Sequence, residues 1–205
     1  MKYLPALAVV CLLIVPPVAL AQQISPNPNP AGNTITVNSL GWFNNQDFLN
    51  QGVVDILTNG ALENNNILNS TFLKNKGTLN NDGTLNNYFW LGNYHELTNN
   101  AWRTLANKGV LVNELGGELY NKGLLDNTGE LYNKGLLDNG GTLTNEGVLD
   151  NDDTLTNNGR LTNAGVLNNT LTNESGGTLL NNGSPWHRMA PRTKSGGGHR
   201  DLQRG

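Results

Sequence analysis

The sequence is poor in cysteine, in charge and in aromatic side chains. Among 205 residues there is one cysteine, Cys11, while 14% of the residues are charged and 6% are aromatic. One cysteine excludes a disulfide framework within the chain, and so few charges and rings are not typical of a mixed α/β enzyme domain. Instead, the chain contains 36 Asn, 33 Leu and 25 Gly. Asn and Gly are poor helix formers, yet Leu is too frequent for a disordered tail, so this composition indicates a repeat protein.

The first 21 residues predict a secretory signal peptide. Lys2 provides a positive start, Leu4–Leu20 is apolar, and Ala19-Leu20-Ala21 matches a small-x-small cleavage pattern. Prolines interrupt this apolar stretch, which is also short for a membrane span. We therefore expect a secreted or outer cell-surface protein of bacterial type, with neither cysteine nor membrane span after cleavage.

The composition changes at both ends of the mature chain. Residues 22–41 alternate Asn with Pro at first, which predicts an extended leader and an N-terminal cap. Residues 184–205 contain five basic side chains and one acidic side chain, which predicts a disordered basic tail without a nucleic-acid partner. Without this tail and the signal peptide, the body of the chain has seven basic and 15 acidic side chains, a net charge of −8.

Residues 42–183 consist of six-residue units with the pattern Leu-x-Asn-x-Gly-x. Gly follows four residues after Leu in almost every regular unit, with Asp153 as the exception, and upstream of residue 119 some spacings change to five or eight. The regular Leu series is Leu119, Leu125, Leu131, Leu137, Leu143, Leu149, Leu155, Leu161 and Leu167. The Asn series is Asn121, Asn127, Asn133, Asn139, Asn145, Asn151, Asn157 and Asn163.

This period predicts an all-β fold, a single-stranded β-solenoid (β-helix) of strand-turn units. Six-residue spacing would carry Leu around a helix and does not fit the 3.5-residue period of a coiled coil. A short strand around each Leu, followed by a turn at Asn and Gly, fits because these residues tolerate left-handed backbone angles. Stacked coils would then form an inner Leu ladder and an Asn amide ladder at the turns.

Two coil sizes are consistent with the pattern. Three six-residue units give an eighteen-residue coil with a triangular cross-section, which we prefer because a coil with two Leu residues buries little apolar area. Two units give a twelve-residue coil, and Tyr120 and Tyr132, like Asp126 and Asp138, repeat at that distance. A duplicated gene segment would produce the same twelve-residue pattern.

Nothing in the sequence indicates a catalytic, cofactor-binding or metal-binding site. His95 has no Cys or second His at ligand spacing, and the sequence contains no phosphate-binding loop. Where the repeat spacing breaks, aromatic residues occur close together, and an irregular flank of this kind could stack sugar rings or bind a partner. This candidate binding cluster is Tyr88, Phe89, Trp90, Tyr94 and Trp102.

Repeated polar residues suggest two alternative functions. Carboxylates could do acid–base chemistry in a β-helical polysaccharide-active enzyme, and the candidates are Asp126, Asp138, Asp150, Asp152 and Asp153. An outward threonine array could bind ice, and its candidates are Thr142, Thr144, Thr154, Thr156 and Thr162. Solvated surface charge and ordinary strand propensity explain the same residues without either function.

The tandem units behind a signal peptide resemble repeats of bacterial secreted and surface proteins of the autotransporter and filamentous-haemagglutinin kind. The resemblance covers residues 42–183 and implies a β-helical passenger that is exported to the cell surface, often for adhesion. Its implied partners are a surface glycan, matrix or another cell-surface protein. We also expect self-association through an exposed end of the solenoid.

Overall fold

The chain winds into a parallel β-solenoid with three faces and nine coils in the computed structural model, which describes residues 21–168 and 171–186. Residues 1–20 of the predicted signal peptide (residues 1–21) and residues 187–205 of the predicted tail (residues 184–205) lie outside the described residues. Within the described ranges every strand pairs in parallel. None of these residues lies in a helix, so they include no helical segment that could cross a membrane.

Face 1 is a nine-stranded sheet in which strands of successive coils are neighbours. Strands are numbered in chain order over the whole molecule. Those of face 1 are β1 (Gln22–Gln23), β3 (Trp42–Asn44), β5 (Ala61–Asn64), β7 (Thr78–Asn81), β9 (Glu96–Asn99), β12 (Glu118–Asn121), β15 (Leu136–Asn139), β18 (Thr154–Asn157) and β21 (Thr172–Asn173).

Faces 2 and 3 are joined in a second sheet because three long strands continue around the corner between them. These strands are β4 (Phe48–Ile56), β6 (Ile67–Asn75) and β8 (Thr84–Asn93). Face 2 also contains β10 (Thr104–Asn107), β13 (Leu124–Asn127), β16 (Thr142–Asn145), β19 (Arg160–Asn163) and β22 (Thr178–Asn181). Face 3 also contains β2 (Thr34–Val37), β11 (Val110–Asn113), β14 (Glu130–Asn133), β17 (Val148–Asn151), β20 (Val166–Asn168) and β23 (Ser184–Trp186).

The regular part of the array has the predicted coil of three units. Leu119 pairs with Leu137, and Leu137 pairs with Leu155. The stacked asparagines of these strands, such as Asn121 and Asn139, are 18 residues apart. Upstream, the distance between stacked asparagines ranges from 17 to 22 residues, because units of irregular length occur there. The all-β solenoid with three units per coil is therefore confirmed, and the twelve-residue alternative is not adopted.

The twelve-residue period in the sequence has no counterpart in the coil. Glu118–Asn127 and Glu130–Asn139 have identical sequences, but they are offset by two of the three units of a coil, so the two copies lie on different faces. Tyr120 is on face 1 and Tyr132 on face 3, although each hydroxyl donates to the Glu two residues earlier, at 2.7 and 2.8 Å. The twelve-residue repeat is therefore explained by a duplicated stretch of sequence and does not correspond to a coil of the solenoid.

The centre of each coil is filled by the Leu residues. The structure buries every Leu of the regular series completely or nearly so. In the first coils Phe48, Ile35 and Val54 occupy the same position. Ile24 and Asn29 are also buried, and β1 pairs with β3, so stacking already begins upstream of residue 42. At the other end β23 pairs with β20 beyond residue 183.

Asparagine forms a ladder at the end of each face. In most steps of a ladder, the Nδ2 group of one Asn donates to the Oδ1 atom of the Asn one coil further on, over 2.6–2.8 Å. The same Nδ2 group also donates to a backbone carbonyl of the next coil: Asn121 donates to Asn139 at 2.7 Å and to Thr142 O at 2.9 Å. All eight predicted Asn residues are buried in these ladders. Their amides are thereby satisfied, as buried polar groups require.

The repeat glycines are explained by the closeness of adjacent coils. A Cβ atom added to Gly141 would lie 2.2 Å from the carbonyl oxygen of Gly123 in the coil before, which is a severe clash. Among the described glycines, left-handed angles occur only at Gly32, Gly41, Gly116 and Gly176. Left-handed backbone angles therefore do not explain the glycine of the regular unit.

Candidate functional site

The five aromatic residues that are close in sequence lie at three places around the coil. Tyr88 and Phe89 occupy the corner between faces 2 and 3, and Trp90 points outward from face 3. Tyr94 lies at the corner between faces 3 and 1. Trp102 lies at the corner between faces 1 and 2, which is opposite face 3. The structure therefore brings Tyr88, Phe89 and Trp90 together and separates Trp102 from them.

Phe72 completes the aromatic surface on face 3. It is the register partner of Trp90 in the adjacent strand, and its ring packs edge-on against Phe89 with centroids 4.8 Å apart. Val53 and Val110 extend the same outward column on either side. Sequence analysis missed Phe72 because its position beside Trp90 depends on the length of that coil. The sequence does contain a feature that points to Phe72: it directly precedes Leu73, just as Trp90 directly precedes Leu91.

Trp90 is held against its own strand. The six-membered ring of its indole covers Gly92, where an added Cβ atom would approach the indole carbon Cη2 to 2.2 Å. Residues 90 and 92 are both on the outer side of the strand, since Leu91 and Asn93 between and after them are buried. Gly92 therefore creates the space in which the indole lies along the surface.

A lysine lies over a tyrosine ring at each border of face 3. The Nζ atom of Lys108 is 4.9 Å from the ring centroid of Tyr88. At the other border, Lys74 Nζ is 5.5 Å from the centroid of Tyr94. Both distances are within the range of a cation–π interaction, which holds each lysine ammonium group near its tyrosine ring. We call Phe72, Lys74, Tyr88, Phe89, Trp90 and Tyr94 the face-3 track.

A groove of about 390 Å³ lies at the Tyr94 end of the face-3 track. Lys74, Lys76, Tyr94, His95 and Thr58 line it, so its walls present ammonium, hydroxyl and imidazole groups. Burial, together with the negative charge of Glu114, raises the pKa of Tyr94 above its ordinary value. The phenol, which is neutral at neutral pH in an ordinary tyrosine, therefore remains a hydrogen-bond donor here.

The charge near the face-3 track is positive although the array as a whole is acidic. Lys74, Lys76 and Lys108 lie on or beside it, and Asp55 on the same face pairs with Lys76 at 3.9 Å. Glu114 at the border pairs with Lys134 at 3.5 Å. The track is thus a local site of net positive charge on a body that carries −8.

The predicted carboxylate and threonine sets are distributed around the coil. Asp126 lies on face 2, Asp138 on face 1 and Asp150 on face 3, while Asp152 and Asp153 follow at the next corner. The threonines divide in the same way: face 2 carries Thr142, Thr144 and Thr162, and face 1 carries Thr154 and Thr156. Among the described residues, no group of three or more His, Cys, Asp or Glu side chains could hold a metal ion.

Trp102 belongs to a different surface. Its side chain is 96% exposed and its φ angle is 66°. It lines a shallow groove of about 250 Å³ together with Asp82, Arg103 and residues of face 2. This groove lacks the ring-to-ring contacts of the face-3 track.

The fold defines the chain as a parallel β-solenoid repeat protein with internal asparagine ladders. Comparisons with protein-family profiles, curated proteins and solved structures find no match for it. The resemblance to autotransporter and haemagglutinin repeats therefore rests on the repeat pattern of the sequence.

Proposed function

We propose that this protein is a secreted or cell-surface structural and adhesive β-solenoid, bacterial in type, which binds its partner through a side surface and is not an enzyme. The observation that carries the proposal is the aromatic surface of face 3, where Tyr88 and Phe89 are 50% and 56% exposed. Exposed apolar rings grouped in this way are a frequent mark of interaction sites.

The construction of the coil supports binding at an outer surface. Leu and Asn side chains fill its interior, so a ligand has access from outside only. The stacked strands also hold outward side chains at fixed positions, which suits recognition of an extended partner. Glycan, matrix and another cell-surface protein are the partners that we propose, with self-association at the end of the solenoid as an additional interaction.

Adhesion assays with the secreted chain test this proposal. The protein is applied to arrayed glycans, matrix proteins and whole bacterial cells, and retention is compared with that of Trp90→Ala. We expect at least a tenfold loss of affinity, because truncating a central aromatic anchor removes much of the binding energy at an interface. Trp102→Ala is the matched control and should bind like the parent protein.

Three results would contradict the proposal. The first is the absence of binding to every surface while the pure protein cleaves a polysaccharide, which would support the enzyme alternative. The second is a loss of binding in Trp102→Ala with none in Trp90→Ala. The third is thermal hysteresis of the solution, which would favour ice binding. Circular dichroism of each variant checks that the β-fold is retained.

A further inference from the structure

We propose that the face-3 track binds an acidic polysaccharide, with the sugar chain lying along β6 and β8 from one corner of face 3 to the other. This inference rests on the proposed adhesive function and names the chemical class of its ligand. It combines two features of the same surface: aromatic rings in its middle and lysine ammonium groups at both borders.

The dimensions of the track favour a polymer over a single sugar. Tyr88 and Tyr94 are six residues apart on and just beyond β8, which corresponds to at most about 20 Å because the strand bends at the corner beside Tyr88. Phe72 and Trp90 lie between them as neighbours in adjacent strands. The track therefore offers consecutive contacts along one line, and several sugar rings are needed to occupy it.

The rings supply the apolar contacts. The indole of Trp90 covers Gly92 with one side, and the residue is half-buried on the outer side of face 3. Phe89 and Phe72 support each other edge-to-face, an arrangement that adds stability beyond burial of area. Sugar rings present apolar C–H faces that pack against such surfaces, and binding sites commonly combine aromatic walls with a few polar groups.

The lysine side chains are the reason that we propose an acidic polysaccharide. Lys108 and Lys74 are each held over a tyrosine ring, so their ammonium groups lie at the ends of the track with N–H donors available to a ligand. Beyond Lys74, the groove at the next corner is lined by Lys76, His95 and Thr58, which add polar groups within reach of a ligand. Because the body of the protein is acidic, its field directs an anionic polymer toward this surface and away from the others.

Tyr94 is compatible with an anionic ligand at that end. Its hydroxyl is protonated at neutral pH, as that of an ordinary tyrosine is, and burial together with the nearby Glu114 raises its pKa further. A neutral phenol donates a hydrogen bond to a carboxylate or sulfate without charge repulsion. Two carboxylates lie on or beside this part of face 3, and each is paired with a lysine: Asp55 with Lys76 and Glu114 with Lys134.

Affinity electrophoresis of the secreted chain with three polysaccharides tests the inference. The probes are alginate, which carries carboxylates, dextran sulfate, which carries sulfates, and neutral dextran. We expect retardation by at least one anionic polymer and none by dextran. Alginate alone would identify a uronate ligand, dextran sulfate alone a sulfated one, and retardation by both would show that either anion suffices. Affinity should fall at least tenfold between low salt and 0.5 M NaCl, roughly as screening of exposed charges requires.

Charge-matched variants locate the site. Lys74→Gln/Lys108→Gln should lower the affinity at least tenfold, and Trp90→Ala should do the same at unchanged net charge. Lys122→Gln/Arg160→Gln removes two exposed charges away from face 3 and should bind almost like the parent. All five substituted positions have exposed or half-buried side chains, and circular dichroism verifies the fold.

Four outcomes would overturn the inference. Equal binding to dextran without salt dependence would show a glycan surface that ignores charge, in which case the proposed adhesive function stands. Equal losses in both double variants would show binding by net charge and not by the face-3 track. Retardation by none of the polymers would show that the track does not bind an acidic polysaccharide. Dimerisation that Trp90→Ala abolishes would show that a second copy of the chain occupies the track. In both cases the adhesion assays decide the proposed function separately.

Discussion

Asparagine stabilises this protein because its amide carries a donor and an acceptor on one short side chain. In each ladder Nδ2 donates to the next coil while Oδ1 accepts from the coil before, so one residue type satisfies itself in every coil. The ladder of face 2 contains one exception, Ser70. Its Oγ accepts from Asn50 at 2.9 Å, but the buried Oδ1 of Asn87 has no hydrogen-bond partner among the described residues.

Replacing Ser70 with Asn should restore the face 2 ladder. The new Nδ2 group would donate to Asn87 Oδ1, and relieving a buried unsatisfied acceptor is worth about 1–2 kcal/mol. We expect the free energy of unfolding, measured by urea denaturation, to rise by that amount. Ser70→Ala should lower it, because Asn50 loses its side-chain acceptor. A less stable Ser70→Asn protein would contradict this account of the ladder.

Which residues are buried could be predicted from the sequence, while the reason for glycine could not. The spacing of Leu and Asn within a unit is enough to place both inside, because the side chains of a strand alternate between its faces. The requirement at Gly141 comes from the carbonyl of Gly123, a neighbour one full coil away. Such a contact follows only once the coil length is known.

At the scale of the strand and its corner, glycine controls how closely successive coils stack. Gly140 and Gly141 are adjacent in one corner, and both have ordinary backbone angles. An added Cβ atom at Gly140 would meet only Asn121 O, at 3.9 Å, whereas at Gly141 it would meet Gly123 O at 2.2 Å. Comparing substitutions at these two glycines therefore distinguishes a steric requirement for glycine from a requirement for backbone flexibility.

Gly141→Ala should destabilise the solenoid by about 1–3 kcal/mol, the usual cost of overpacking. Gly140→Ala should change the stability by no more than about 0.5 kcal/mol, as exposed substitutions do. Thermal and urea denaturation followed by circular dichroism measure both. Equal effects at the two positions would mean that the coils can move apart to accept a methyl group.

The sequence predicted a strand at each regular unit but not the long strands β4, β6 and β8. In that region Leu68 and Leu73 are five residues apart, and β6 and β8 have no glycine at the corner, although β4 has Gly52 there. The strand β6 bends through the corner with a register shift. The same irregularity determines the face-3 track. Phe72 lies beside Trp90, and Trp102 lies far from both, because of coil lengths that the aromatic positions do not reveal.

At the scale of the whole molecule, the described chain is a short rod. Nine coils at about 4.8 Å per strand spacing give a length of roughly 40 Å. The ladder bonds all run in one direction, with each donor pointing toward the C-terminal coils. Hydrogen bonds aligned in this way polarise and strengthen one another, so each bond of a ladder also stabilises the neighbouring coils.

The N-terminal end of the rod closes each ladder differently. Gln23 donates to Asn44 Oδ1 at the start of the face 1 ladder, and Asn33 donates to Asn29 Oδ1 on face 2. On face 3 Ile56, the register partner of Asn75, takes the ladder position. The first acceptors of the ladders on faces 1 and 2 are thus satisfied by side chains of the described residues.

The central claim is that three six-residue units form one coil, and disulfide trapping tests it most directly. Thr144 and Thr162 are register partners in adjacent strands, at a spacing of about 4.8 Å that falls within the Cα range of a disulfide. Thr156, two units after Thr144, lies on face 1. In a Cys11→Ser background, Thr144→Cys/Thr162→Cys should form an intramolecular disulfide on mild oxidation, and Thr144→Cys/Thr156→Cys should not. Cross-linking of the second pair in preference to the first would contradict the three-faced solenoid and support a coil of two units.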